Sequence, residues 1–314
     1  MDWTDRIGRR IKLRDLHILL AVAQCGSMAK AARLLSVSHP VISKSIAGLQ
    51  ATLGVPLTER LPKGIELTDF GRALLKGGVA AFDDLRQSVR EIEFLSDPSA
   101  GELSIGASEP IAAGFLPAVI ASLTRTHPRL AFAIEQADAD TLQQRDLRER
   151  KIDLVIARVA KRNLDRDLDS EVLFYEKLLV VAGANSKWKG RHKVALQQLA
   201  DEPWILSPLE SLAGSPVVAA FRAAGLALPK ARILTFSLPL RAGLLATGEF
   251  LTVVPESLMK FGAQNLSLHT LPVDLPRWRS PVAIIRLKNR SLSPAAKVFV
   301  QAAHQIAKPL AKLS

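Results

Sequence analysis

The chain has 314 residues, 48% of them hydrophobic and 23% charged, with a net charge of +12 and a single cysteine. That composition describes a folded protein long enough for two or more cores, and it argues against a disordered polymer or a disulfide-stapled scaffold. The positive balance favours an acidic partner, nucleic acid before a membrane surface, although the charge is spread: residues 1–96 carry 14 Lys and Arg against 10 Asp and Glu, a net of +4, and residues 97–314 carry the other +8.

The opening segment MDWTDRIGRRIKLRD has no apolar stretch of the kind a secretory leader needs. No run of about 18 apolar residues offers a bilayer span. The lone Cys25 suits a reducing compartment, and the expectation is a cytoplasmic protein. Leu13 to Gln24 is predicted helical and ended by Gly26. Ser27 can cap a second helix over Met28–Leu35, Ser36-Val37-Ser38 breaks it, and Ser38 can cap a third with Pro40 in its first turn. In that third helix Ile42, Ile46, Leu49 and Leu53 recur at i, i+4, i+7 and i+11 and form one buried stripe. The opposite face carries Pro40, Val41, Ser43, Lys44, Ala47 and Gly48: small residues, a hydroxyl and one cation, with no acid. Such a face can enter the major groove of double-stranded DNA, with Ser38, His39, Pro40, Val41, Ser43 and Lys44 as the candidate contacts.

Leu57 to Thr68 is predicted to be a β-hairpin turning at Pro62-Lys63-Gly64, a wing whose Arg60 and Lys63 can reach phosphate or the minor groove. From Asp69 to about Ser96 the pattern is helical, with Leu74, Ala81, Leu85, Val89, Ile92 and Leu95 three, four or seven apart. The same helix of a second chain is the simplest cover for that seam, which gives a dimer; Gly77-Gly78 marks a bend or a close helix approach. Residues 97–101 form a hinge. Strands and helices then alternate. Strands are predicted at Leu103–Ala107, Ala131–Glu135, Ile152–Ala157, Val172–Ala182, Pro203–Leu206, Ile233–Phe236, Leu251–Val254, Leu266–Leu271 and Val282–Leu287. Helices are predicted at Phe115–Thr126, Thr141–Arg150, Pro216–Ala224, Leu240–Thr247 and Pro294–Lys308. That alternation predicts parallel-type sheets in two small α/β subdomains.

The ordered set Ala31-Ala32, Leu34-Leu35, Ser38, Pro40, Ser43, Leu49, Leu53-Gly54, Leu57, Arg60, Gly64, Leu67-Thr68 and Gly71 resembles the LysR-type transcriptional regulators, as do Leu199–Ile205 and the Gly248…Val254-Pro255 turn. The resemblance covers nearly the whole chain. It implies an α+β multidomain protein with a winged helix-turn-helix over 1–68 (motif 28–47) and a dimerising linker helix over 69–96. Residues 102–314 would be a two-lobed, periplasmic-binding-protein-like effector domain, with one lobe of 102–172 plus 273–314 and the other of 173–272. It also implies a dimer or a tetramer built as a dimer of dimers, and a small-molecule effector between the lobes. RNA polymerase is a further candidate partner, and no cofactor or metal is expected. Three positions depart from the family pattern: His39 stands where Gln is usual, Lys44 where Arg is usual and Thr58 where Phe is usual. Lysine lacks the planar fork of arginine, so base readout is expected to differ.

Ligands of open α/β sheets sit at the carboxyl ends of strands. The candidate effector contacts are therefore Ser108 and Glu109 after the first strand of this region, Gln136 at the end of the next, Arg158, Ser207 and Ser237. The resemblance puts the usual effector contact at Ser108, and Arg158 can bond an anion. Glu109 disfavours a second anion, so the ligand is expected to be hydroxylated or singly charged. Catalysis is not expected: GASEP lacks the last glycine of a nucleophile elbow, no phosphate loop occurs, and the six histidines are scattered. Two alternatives remain open, a winged-helix regulator that senses an ion, and a solute-binding or enzymatic α/β protein with an incidental helical cap.

Overall fold

A computed structural model describes residues 8–62, 64–159, 164–209, 211, 214–262, 267–273, 275 and 279–311. Lys63 and Leu266, both named above, lie outside the described residues. The chain divides into two compact units, Met1–Val89 and Arg90–Ser314.

The first unit contains helices α1 (Leu13–Cys25), α2 (Met28–Leu34) and α3 (His39–Leu53), the hairpin β1 (Thr58–Leu61) and β2 (Gly64–Leu67), and most of α4 (Asp69–Ser96). Ser27 caps α2 by accepting from the Lys30 amide. Gly26 and Gly54 end α1 and α3 in the left-handed conformation. The core is aliphatic: Leu19 and Val22 of α1, Ala31 of α2, Ile42, Ile46 and Leu49 of α3, and Leu57 ahead of the hairpin are all buried. Leu53, the last member of the predicted stripe, is half-buried. α4 runs without interruption through Gly77-Gly78. Gly78 is buried against Leu16 of α1, the close helix approach that was one of the two expectations for the glycine pair.

The second unit holds two five-stranded sheets. The first has the order β4 (Arg129–Gln136), β3 (Ala100–Ala107), β5 (Leu154–Arg158), β12 (Ser280–Leu287) and β6 (Leu168–Glu176). It packs against α6 (Phe115–Thr126) and α11 (Pro294–Ala311) around Phe115, Phe174 and Phe299. The second sheet has the order β11 (Leu268–Thr270), β7 (Leu178–Gly183), β10 (Leu251–Pro255), β8 (Trp204–Leu206) and β9 (Ala231–Leu234). It packs against α8 (Ser215–Ala223) around Trp204 and Phe221.

Three expectations need correction. The sheets are mixed: β12 runs antiparallel to β5 and β6, and β7 antiparallel to β10 and β11. The antiparallel strands are those that carry the chain between the two sheets. For the same reason the predicted strand Val172–Ala182 is two strands, β6 in one sheet and β7 in the other, with only Lys177 between them. The predicted helix Thr141–Arg150 is a short turn, α7 (Ala139–Thr141), followed by a π-helical turn over Leu142–Leu147. A wider turn brings residues five apart onto one face, and Leu142 and Leu147 are both fully buried. Two short helices, α5 (Glu109–Ala113) and α10 (Glu256–Phe261), follow strand ends and were not anticipated, and α9 (Leu238–Leu245) begins two residues earlier than predicted.

Candidate functional site

The first candidate surface is the outer side of α3. Ser38, His39, Pro40, Ser43, Lys44, Ala47 and Gly48 are exposed and Val41 is half-buried, while Ile42, Ile46 and Leu49 point inward. Ser38 takes the N-cap position, but its hydroxyl makes no capping bond. Ser45 on the flank donates to Asp15 Oδ1 at 2.6 Å and ties α3 to α1. The aliphatic stripe and this bond set the helix so that its small, hydroxylated side faces outward.

The hairpin is fixed to α3 by one side chain that the sequence did not single out. Gln50 Oε1 accepts from the backbone N–H of Leu57 at 2.9 Å and of Thr58 at 3.3 Å. At the other end of the hairpin, Thr68 donates to Pro56 O at 2.6 Å and accepts from Gly71 N at 3.1 Å, which starts α4. Gly71 lies so close to Leu57 O that a Cβ there would stand 2.1 Å from it. Gly64 has φ +141° and packs on Gly26 O, to which Ile65 N donates at 2.9 Å. Arg60 is exposed on β1 opposite Ile65. Glu59 and Glu66 face each other across the same hairpin.

The second candidate site lies at the carboxyl ends of the strands in the second unit. The register of the first sheet places Gln136 beside Ala107, and Ala107 beside Ile156, so Gln136, Ser108 and Arg158 leave the sheet side by side. Gln136 is exposed; Ser108 and Glu109 are half-buried. Ser108 holds the N-cap position of α5, again with no side-chain cap bond. Arg158 is anchored on one side: its Nε donates to Glu176 Oε1 at 2.8 Å, and Glu176 is fully buried. The second oxygen of Glu176 accepts from Ser257 at the start of α10 at 2.6 Å. This carboxylate thus links β5 of the first sheet to the helix that follows β10 of the second.

In the second sheet Ser207 follows β8 and Ser237 follows Phe236 just beyond β9, as anticipated. Ser237 caps α9 by accepting from Leu240 N at 3.3 Å. Ser207 is buried and accepts from Arg241 Nη2 at 2.7 Å. Arg241, on α9, was missed; from the sequence it reads as a polar residue on an amphipathic helix. It is only 6% exposed. Its remaining partners are neutral oxygens: Thr235 O, Thr252 Oγ1 at 3.4 Å and Val253 O at 3.5 Å. Burial pushes the Arg241 guanidinium down to about 10, the nearby Glu109 carboxylate pulls it back up, and Arg158 pushes it further down. The charges of the first sheet's loops therefore act on this group of the second sheet.

Comparison with known proteins adds the following. Residues 13–72 match the family model "Bacterial regulatory helix-turn-helix protein, lysR family", and residues 96–308 match "LysR substrate binding domain". The chain is 30% identical to the HTH-type transcriptional regulator GbpR of Azospirillum brasilense over 93% of its own length and 86% of that protein's. It is 28% identical to the transcriptional dual regulator GltC of Bacillus subtilis over 93% and 96%. Among solved structures, full-length CbnR complexed with its target DNA aligns with TM-score 0.64 at 23% identity, covering 94% of this chain and all of that one. A full-length OxyR variant from Pseudomonas aeruginosa aligns with TM-score 0.64 at 21% identity, covering 95% of each.

Proposed function

Since the chain belongs to the LysR family of DNA-binding transcriptional regulators, we propose that Ser38, His39, Pro40, Val41, Ser43 and Lys44 read base edges in the major groove while Arg60 and Lys63 hold the flanking backbone. One observation carries this reading: the exposed side of α3 is small, hydroxylated and free of acids, and the aliphatic residues that would otherwise cover it are turned inward. The protein acts as a cytoplasmic regulator and not as an enzyme. A small-molecule effector occupies the cleft between the lobe of 102–172 with 273–314 and the lobe of 173–272, at Ser108, Glu109, Gln136, Arg158, Ser207 and Ser237. Its binding shifts the population of two shapes that hold DNA differently. The chain associates with itself through α4, whose Leu85, Val89, Ile92 and Leu95 are 48%, 53%, 64% and 75% exposed. Their spacing puts them on one side of the helix, where they need an apolar cover.

The test is selection of binding sites from a random duplex pool by the full chain, followed by Lys44→Ala measured against the winning site at fixed salt. Loss of a base-edge contact is expected to cost about 1–3 kcal/mol on the selected site and little on random duplex. Equal loss on both would reduce Lys44 to a phosphate contact, and failure to enrich any site would remove the DNA-reading role.

A further inference from the structure

Arg241 is the most anomalous charge of the second unit. A guanidinium stays cationic at neutral pH even when burial depresses it to about 10. Burying such a charge is costly unless an anion answers it. Here the four partners are two hydroxyls and two carbonyls, all neutral. Among the described residues no carboxylate pairs with Arg241, and its buried Nε has no partner at all. Among the described residues the other buried arginine of the unit differs, Arg290 pairing with Asp153 at 2.8 Å, as does the half-buried Arg158, which pairs with Glu176 at 2.8 Å.

The position is also informative. Arg241 lies beside the carboxyl ends of β8 and β9, and its hydrogen bonds gather Ser207 and Thr235, the residues that leave those ends. Ser207 accepts from the guanidinium, so its own proton is free to be donated onward. Glu109, half-buried at the start of α5 beside the other sheet, carries a charge that acts on Arg241. A cation on one wall and an acid on the other fit a ligand with unlike ends.

We propose that the effector is a small monocarboxylate bearing a hydroxyl or amino group, its carboxylate answering Arg241 through the Ser207 hydroxyl and its donor end meeting Glu109. This rests on the cleft being the effector site and names the class of molecule the cleft takes. Arg241 is the group that selects an acid over its neutral analogue, because a carboxylate completes the buried charge and an amide does not. Glu109 rejects a second carboxylate by like-charge repulsion.

The full chain is screened by thermal shift against short 2-hydroxymonocarboxylates, the matching 2-amino acids, the primary amides of both and the matching dicarboxylates. A member of an acid set is expected to raise the melting temperature while its amide and the dicarboxylate do not; the set it comes from identifies the donor group. Arg241→Gln is expected to weaken that acid roughly 30-fold or more, the scale for losing one side of a buried charge pair. Should Arg241→Gln fail to fold, Ser207→Ala and Glu109→Gln serve, with weaker binding expected in the first and admission of the dicarboxylate in the second. Amides that bind as well as acids, a panel in which no acid shifts the melt, or unchanged affinity in a folded Arg241→Gln protein would each overturn the assignment. A neutral ligand whose shift is abolished by Ser108→Trp leaves the cleft standing and removes only the carboxylate. A shift indifferent to Ser108→Trp and Arg241→Gln alike removes the cleft itself.

Discussion

Gln50 joins α3 and the hairpin, the two pieces of the proposed DNA-reading surface, with a single amide oxygen. Its removal strands two backbone donors, those of Leu57 and Thr58, between α3 and the hairpin. Gln50→Leu is expected to destabilise the first unit by about 1–3 kcal/mol, the usual cost of unsatisfied donors, readable by urea denaturation. DNA affinity should fall with it, because the hairpin loses its tie to α3. Neither Gln50 nor Arg241 was legible in the sequence, for a common reason. Each acts through partners outside its own helix, seven and eight residues away for Gln50 and 34 residues away for Arg241 with Ser207, and a helical pattern reports only which face a residue occupies. The exposure of Lys44 was legible because it follows from the inward face of its own helix, and that face is written in the spacing of Ile42, Ile46 and Leu49. Arg158 was placed correctly at a strand end, but its ion pair with Glu176 depends on a neighbour across the sheet that no local pattern supplies.

At the scale of elements, α4 was legible from its first residue to its last, since a long helix repeats its signal many times. Its exposed stripe carries a prediction. Covering aliphatic side chains is worth about 1.5–3 kcal/mol each, so Ile92→Asp is expected to weaken self-association by roughly 30-fold, measured by sedimentation velocity. An unchanged sedimentation coefficient would place the self-contact elsewhere. The short elements were less legible. α5 and α10 have five and six residues, too few for a period to declare itself. The π-helical turn escaped because its spacing of five mimics a broken helix. The division between β6 and β7 was hidden because both are apolar and continuous in sequence; what separates them is membership of different sheets, a property of the whole second unit.

At the scale of the whole molecule, Asp153 gathers parts of the second unit that lie far apart along the chain. It is buried and accepts from Arg90 near the end of α4 at 3.2 Å, from Arg290 ahead of α11 at 2.8 Å and from Ser104 N in β3 at 2.9 Å. Asp153→Ala removes one partner of the buried Arg290–Asp153 ion pair. The expected loss is about 3–5 kcal/mol, visible as an earlier unfolding transition of the second unit in chemical denaturation. The two-sheet architecture of the second unit was anticipated in outline, because hydrophobic period and proline-glycine punctuation report where cores begin and end. The order of strands was not, since register is settled by contacts between segments far apart.

Lys177 alone stands between Glu176 of one sheet and Leu178 of the other. A join that short forbids the two halves from drifting apart or sliding past one another along that path. A change in their relative angle, if a ligand causes one, is expected to turn about this join. On the proposed reading, a molecule caught between the halves would register as an angle whose arc is smallest beside the join and greatest at the outer rim, where a neighbouring subunit would feel it.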